Sequence, residues 1–168
     1  MLNHKEGIMN RVEGAEQRYI RCANKRRGHY AICWDFTQDE QSGNYSYMEH
    51  IFNHLPTLAE IKQVVIGWYN EQIDQQILSG FKWRDISVWL SSENQFNYKA
   101  AYDLAVQTNG STLPVTFKFG SDDEPIYYKF ANLEEFADFY TKAMLFIQTS
   151  LSEGWAKKDS VDWAKYTL

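Results

Sequence analysis

Residues 81–110 read FKWRDISVWLSSENQFNYKAAYDLAVQTNG, and they describe a hairpin that runs directly into a helix. Phe81, Trp83, Val88 and Trp89 flank Arg84-Asp85, the pattern of two short strands around a tight turn. Ser92 and Gln95 then stand at capping-box spacing, in which each side chain satisfies a free backbone N–H of the first helical turn. Phe96, Ala100, Leu104 and Ala105 follow as the apolar stripe of a helix over about 93–108, which Asn109-Gly110 ends.

The grammar recurs immediately. Val115–Phe119 and Ile126–Phe130 are strands around the turn GSDDEP, residues 120–125. Asn132 and Glu135 have capping-box spacing, and Leu133, Phe136, Ala137, Tyr140, Met144, Ile147 and Leu151 make a helical stripe over about 133–153, with Gly154 as the stop. Leu90-Ser-Ser-Glu-Asn-Gln-Phe96 and Phe130-Ala-Asn-Leu-Glu-Glu-Phe136 align from strand end to cap to helix aromatic. Two copies are too few for a solenoid. They are read as two uses of one common solution, with internal duplication as the alternative.

Upstream, Thr57 and Glu60 form a capping box ahead of Leu58, Ile61, Val65 and Trp68, and Ile73 and Ile77 prolong that face until Gly80. This is a long amphipathic helix over about 57–79. His29–Phe36 (HYAICWDF) reads as a strand, TQDEQSGN (37–44) as a turn, and Tyr45–Phe52 as a second strand or a helical turn near Glu49. Glu16–Cys22 is a short helix or strand. Residues 1–15, polar and carrying Gly7 and Gly14, read as a flexible arm. After Gly154, one more helical turn is expected at Val161–Tyr166, docked by Trp155 or Trp163. The fold class is α+β, one domain over 16–168 after the arm, with two β-hairpin-then-helix units preceded by the long helix and an N-terminal strand pair.

The whole composition fits one core: 168 residues, 44% apolar. Six Trp, eleven Tyr and ten Phe supply an aromatic core with some left over for contact. A net charge of −5 disfavours non-specific nucleic-acid binding, and Lys25-Arg26-Arg27 is a local basic cluster that reads as a solvated loop. Cys22 and Cys33 read as free buried thiols. No stretch approaches the roughly 20 apolar residues of a membrane span, and Met1–Gly14 holds no secretory apolar run. Residence in the cytosol is the expectation.

The chemistry-bearing residues are dispersed. Neither GxxxxGK[ST] nor GxGxxG occurs. His50 and His54 have i,i+4 spacing but lack the third ligand of a zinc site, and Glu49 stands on the wrong side of His50 for HEXXH. His29 and Cys33, four apart on one strand, are too distant for proton transfer. Asp122-Asp123-Glu124 is a turn, and Glu134 and Glu135 complement a helix dipole. No cofactor, metal or catalytic residue is expected. The residues left for partner or ligand contact are Trp83, Gln95, Tyr98, Trp155 and Trp163: Trp83 on its hairpin, Gln95 and Tyr98 at a helix start, and two Trp near the end of the chain.

The run GFKWRDISVWLSSENQFNYKAAYDLAVQTNGSTLPVTFKFG (80–120), followed by IYYKFANLEEFADFY (126–140) and GWAKKDSVDW (154–163), is similar to an uncharacterised phage and prophage family of gut Bacteroidota. More distantly it resembles the domain of unknown function found in tailed-phage tail-fibre proteins, which shows hairpin, helix, hairpin, helix. The matching positions are Ser92 with Gln95 and Asn132 with Glu135. The resemblance implies a non-enzymatic phage protein, virion- or tail-associated, that acts by protein–protein contact or self-association in the host cytoplasm or within the virion. The alternative is an accessory protein that binds a host defence factor or sequesters a small signalling nucleotide in an aromatic pocket around Trp83, Gln95 and Tyr98. Neither nucleic acid nor membrane is an expected partner.

Overall fold

The computed structural model describes residues 9–167. The chain is α+β and divides into two compact units, one of residues up to Trp68 with those from Ser160 onward, the other Tyr69–Asp159. The division falls inside helix α1 (Leu58–Ser79).

The first unit holds a four-stranded antiparallel sheet of β1 (Asn10–Gly14), β2 (Ile20–Asn24), β3 (His29–Gln38) and β4 (Tyr45–Phe52), ordered β1-β4-β3-β2. The central strand β3 buries Ala31, Ile32, Cys33 and Trp34. Four consecutive buried residues mean that both of its faces are covered. On one face, Trp34 meets Trp68 of α1 edge-on, with ring centroids 6.0 Å apart. The backbone of Cys33 takes a hydrogen bond from the hydroxyl of buried Tyr166 at 3.0 Å, and Tyr166 stacks edge-on against Tyr19. Tyr166 follows a short 3₁₀ turn, Trp163–Lys165, capped by Asp162.

Two expectations are corrected here. Residues 10–14 belong to no arm: they form β1, paired to β4 from Asn10↔Glu49 to Gly14↔Tyr45. The strand was hidden because its polar residues are satisfied across the edge, Arg11 by Asp35 and by Ser46 at 3.0 Å. The remainder of the expected arm, residues 1–8, lies outside the described residues. The thiols also differ: Cys33 is buried and Cys22 exposed, because Cys22 lies on the edge strand β2. Between Tyr45 and Phe52 the strand prevails over the helical turn, in register with β3 from Tyr30↔Phe52 to Gln38↔Tyr45 across a bulge near Asp35.

In the second unit, the latter part of α1 leads to β5 (Lys82–Trp83), β6 (Ile86–Ser87) and α2 (Ser92–Gln107), then β7 (Val115–Gly120), β8 (Pro125–Phe130) and α3 (Leu133–Asp159). The box at α1 forms: the Glu60 carboxylate accepts from Thr57 N at 2.8 Å, and Thr57 Oγ1 accepts from Glu60 N at 3.3 Å. The bonds its carboxylate accepts from the Thr57 N–H and the Thr57 hydroxyl hold the Glu60 carboxyl below its usual range. The helix ends at Ser79, and Gly80 follows at a point where a Cβ would sit 2.5 Å from the Gln76 carbonyl oxygen, so only glycine fits. The core gathers Ile73, Ile77, Phe81, Trp83, Val88, Leu90, Tyr98, Phe119, Phe130, Phe136 and Phe139.

Gly154 does not end α3, which continues to Asp159. Its absent side chain serves packing instead: a Cβ would lie 2.2 Å from Ile73 Cγ1. Glycine is a weak helix breaker in a long helix, where its cost against alanine is about 1 kcal/mol, and close helix approach overrides it.

Candidate interaction surface

The surface that matters is set by how the first hairpin delivers the chain into α2. Arg84 and Asp85 both adopt positive φ, 47° and 65°. That is the turn geometry that matches the twist of a two-residue hairpin. The short strands place Phe81, Trp83, Val88 and Leu90 in the core and leave Trp89 outside, at 51% exposure. Trp83 itself is only 2% exposed. Its ring meets Phe139 edge-on at 5.4 Å and is roofed by Arg84 at 5.2 Å and Lys142 at 5.4 Å. Arg84 in turn donates to the Tyr128 hydroxyl at 2.7 Å and pairs with Glu135.

The cap of α2 is Ser91, one residue earlier than expected. Its hydroxyl accepts from Asn94 N at 3.2 Å. Ser92 is already helical, and the Gln95 amide donates to the Leu90 carbonyl at 2.7 Å, tying the helix back to the strand end. Each residue of a helix turns the side chain by about 100°, so a one-residue shift of the start rotates the whole helix by that angle. The buried side is Tyr98 and Ala105, with Ala101 and Tyr102 beside them. Phe96, Ala100 and Leu104 point away from the core, with Phe96 70% and Leu104 50% exposed. The expected core stripe of this helix is therefore an exposed stripe, Ala105 alone excepted.

The contact residues read from the sequence separate. Trp83 and Tyr98 are core side chains, each 2% exposed, and Gln95 is half-buried at the strand end. Tyr98 meets Phe117 and Phe139 edge-on at 4.8 Å and 5.2 Å, and burial pushes its phenol up to about 12. Trp155 is exposed on α3. Trp163 is half-buried, its ring tilted against Tyr166 at 5.9 Å and covered by Lys62 at 5.4 Å. The residues that sequence reasoning missed are Trp89, Phe96 and Leu104. The signal that finds them is the alternative cap: counting from Ser91 puts Tyr98 inward and Phe96 outward.

Other polar groupings are less suited to chemistry. His50 is a buried strand residue, and His54 sits in the loop before α1, bonded to Glu60 at 3.0 Å. Among the described residues no group of three His, Cys, Asp or Glu is placed to hold a metal ion. Cys33 lies beside the Arg21–Glu49 ion pair, and burial, with the Glu49 charge, pushes its thiol up to about 12, far from nucleophilic range. Lys25, Arg26 and Arg27 are exposed between β2 and β3. A groove of about 340 Å³ lies between α1 and α3, lined by Gln72, Gln76, Ser150 and Glu153 around the Ile73–Gly154 contact. No helix among the described residues is long and apolar enough to cross a membrane. Comparison with protein-family models, with curated proteins and with solved structures finds no match to this chain.

Proposed function

We propose that this is a non-enzymatic protein that works by protein–protein contact, through the outward face of α2 and the neighbouring Trp89. The observation that carries the reading is the stripe of Phe96, Ala100 and Leu104, exposed along a helix whose other side is buried. Exposed aromatic and aliphatic side chains grouped on one rigid element are the anchors that interfaces use. A phage setting, virion- or tail-associated, is supported by the resemblance described above, which covers roughly residues 57–166 in pattern. Replacing Phe96 with a photo-reactive benzophenone amino acid, in cells that produce the protein, tests the reading. A covalent adduct at position 96, and none when the same group replaces exposed Glu40 in the β3–β4 turn, is the expected result. Equal silence at both positions contradicts it.

A second reading, sequestration of a small polar ligand by an accessory protein, draws on the groove between α1 and α3. Ser150, 7% exposed, lines it together with Gln72, Gln76 and Glu153. Mass spectrometry of the protein purified under native conditions from infected cells tests it: a co-purifying nucleotide supports sequestration, and a ligand-free mass opposes it.

A further inference from the structure

We infer that the partner of the α2 face is a second copy of the same chain, bound with its α2 antiparallel about a two-fold axis at Ala100. The inference rests on the contact reading above and names its partner. Along the helix, Phe96 and Leu104 lie about 6 Å to either side of Ala100 and are turned about 40° to opposite sides of it. The pattern is large, small, large, and it is symmetric about Ala100.

An antiparallel two-fold pairing reverses position along the axis and keeps lateral side. Phe96 of one copy therefore meets Leu104 of the other side by side, and the two interdigitate where a parallel pairing sets Phe96 against Phe96. At the centre Ala100 faces Ala100, and the absence of bulk there lets the helices approach. A self-complementary patch of this kind is what an isologous dimer requires.

The charges fit the same arrangement. Lys99 and Asp103 lie on one flank of the stripe, paired with each other at 2.5 Å and both largely open to solvent. In the antiparallel pairing that flank faces its own copy. Lys99 of one chain is then offset by about 3 Å along the axis from Asp103 of the other, so each pair has a second partner across the interface. Lys99 of one copy is offset by the same distance from Lys99 of the other, but Asp103 stands about 60° from the centre of the stripe and Lys99 about 100° from it, so the approach of opposite charges is the shorter one. Glu93 of one copy stands opposite Gln107 of the other. A parallel pairing about the same face stacks Lys99 at the level of Lys99 and Asp103 at the level of Asp103. The charge pattern thus favours one orientation of a second copy.

An interface built on a single helix face lies below the roughly 1,200 Å² of stable complexes, so association is expected to depend on concentration. Sedimentation velocity on the full chain, from about 1 μM to about 1 mM, is the test. The expected result is a mass that rises from one to two chains of 19.8 kDa. Phe96→Asp and, independently, Leu104→Asp are expected to remain single chains throughout, with circular dichroism unchanged. Lys99→Asp weakens association about tenfold, and the exchange Lys99→Asp with Asp103→Lys restores it. A wild-type chain that stays monomeric over the whole range overturns the inference, as does a Phe96→Asp chain that dimerises like wild type. The benzophenone at position 96 separates this failure from that of the contact reading. An adduct of twice the chain mass supports the second copy. An adduct to a different protein, with monomeric wild type, removes the second copy and keeps the contact reading. No adduct removes both.

Discussion

Phe96 and Phe136 occupy matched places in sequence, each six residues after the apolar residue that ends its hairpin, and they have opposite fates. Phe136 is completely buried and stacked on Phe130 at 4.9 Å, whereas Phe96 is 70% exposed. The difference comes from the cap. Asn132 caps α3, its side chain accepting from Glu135 N at 2.9 Å, while Ser91 caps α2. Counted from the caps, Tyr98 and Phe139 correspond, seven residues in, and both are buried. The position that holds Phe136 in α3 is held by Gln95 in α2. One residue of offset turns a core aromatic into a surface one.

The largest effect that sharpens this comparison is in the core. Phe136→Ala is expected to destabilise the fold by about 3–5 kcal/mol, read by urea denaturation, whereas Phe96→Ala stays within about 0.5 kcal/mol of wild type. A comparable loss for both substitutions breaks the comparison. Next comes the helix approach that keeps α3 running through a glycine. Gly154→Ala must displace Ile73 and is expected to cost about 1–3 kcal/mol, measured the same way, and Ile73→Ala in the same chain recovers part of it. Smaller still is the cap itself. Ser91→Ala is expected to cost about 1 kcal/mol and Ser92→Ala under half of that; the reverse order restores the cap to Ser92 and Phe96 to the core. The smallest effect follows pH. The Glu60 carboxyl is held low by the Thr57 N–H, so its stabilisation is complete above its ordinary range and is lost as pH falls through its folded value. Glu60→Gln is therefore expected to flatten the acid limb of the stability profile between about pH 5 and 3.

Much of this architecture is legible in residue order, because its signals are local. The box at Thr57 and Glu60, the Arg84-Asp85 turn and the pairing of Val115–Gly120 with Pro125–Phe130 each depend on residues within hydrogen-bonding reach along the chain. What failed depends on distant partners or on a choice between equals. β1 looks polar because Arg11 finds Asp35 24 residues away. Gly154 reads as a stop until Ile73 is seen against it. Ser91 and Ser92 are chemically identical caps, and only the burial of Tyr98 decides between them. The same ambiguity placed Tyr98 among the contact residues and Phe96 in the core, whereas Trp83, on the hairpin ahead of the cap, is buried by its packing on Phe139. Trp155 alone of the five is fully on the surface.

The central claim is that Phe96 faces solvent in the isolated chain and is covered by a second copy of it. Hydroxyl-radical footprinting at low and high protein concentration reads this at both phenylalanines in one sample. The account predicts that Phe96 oxidises readily in dilute solution and becomes protected as the protein is concentrated, while Phe136 is protected throughout. A Phe96 as protected as Phe136 in dilute solution, or one equally reactive at every concentration, contradicts it.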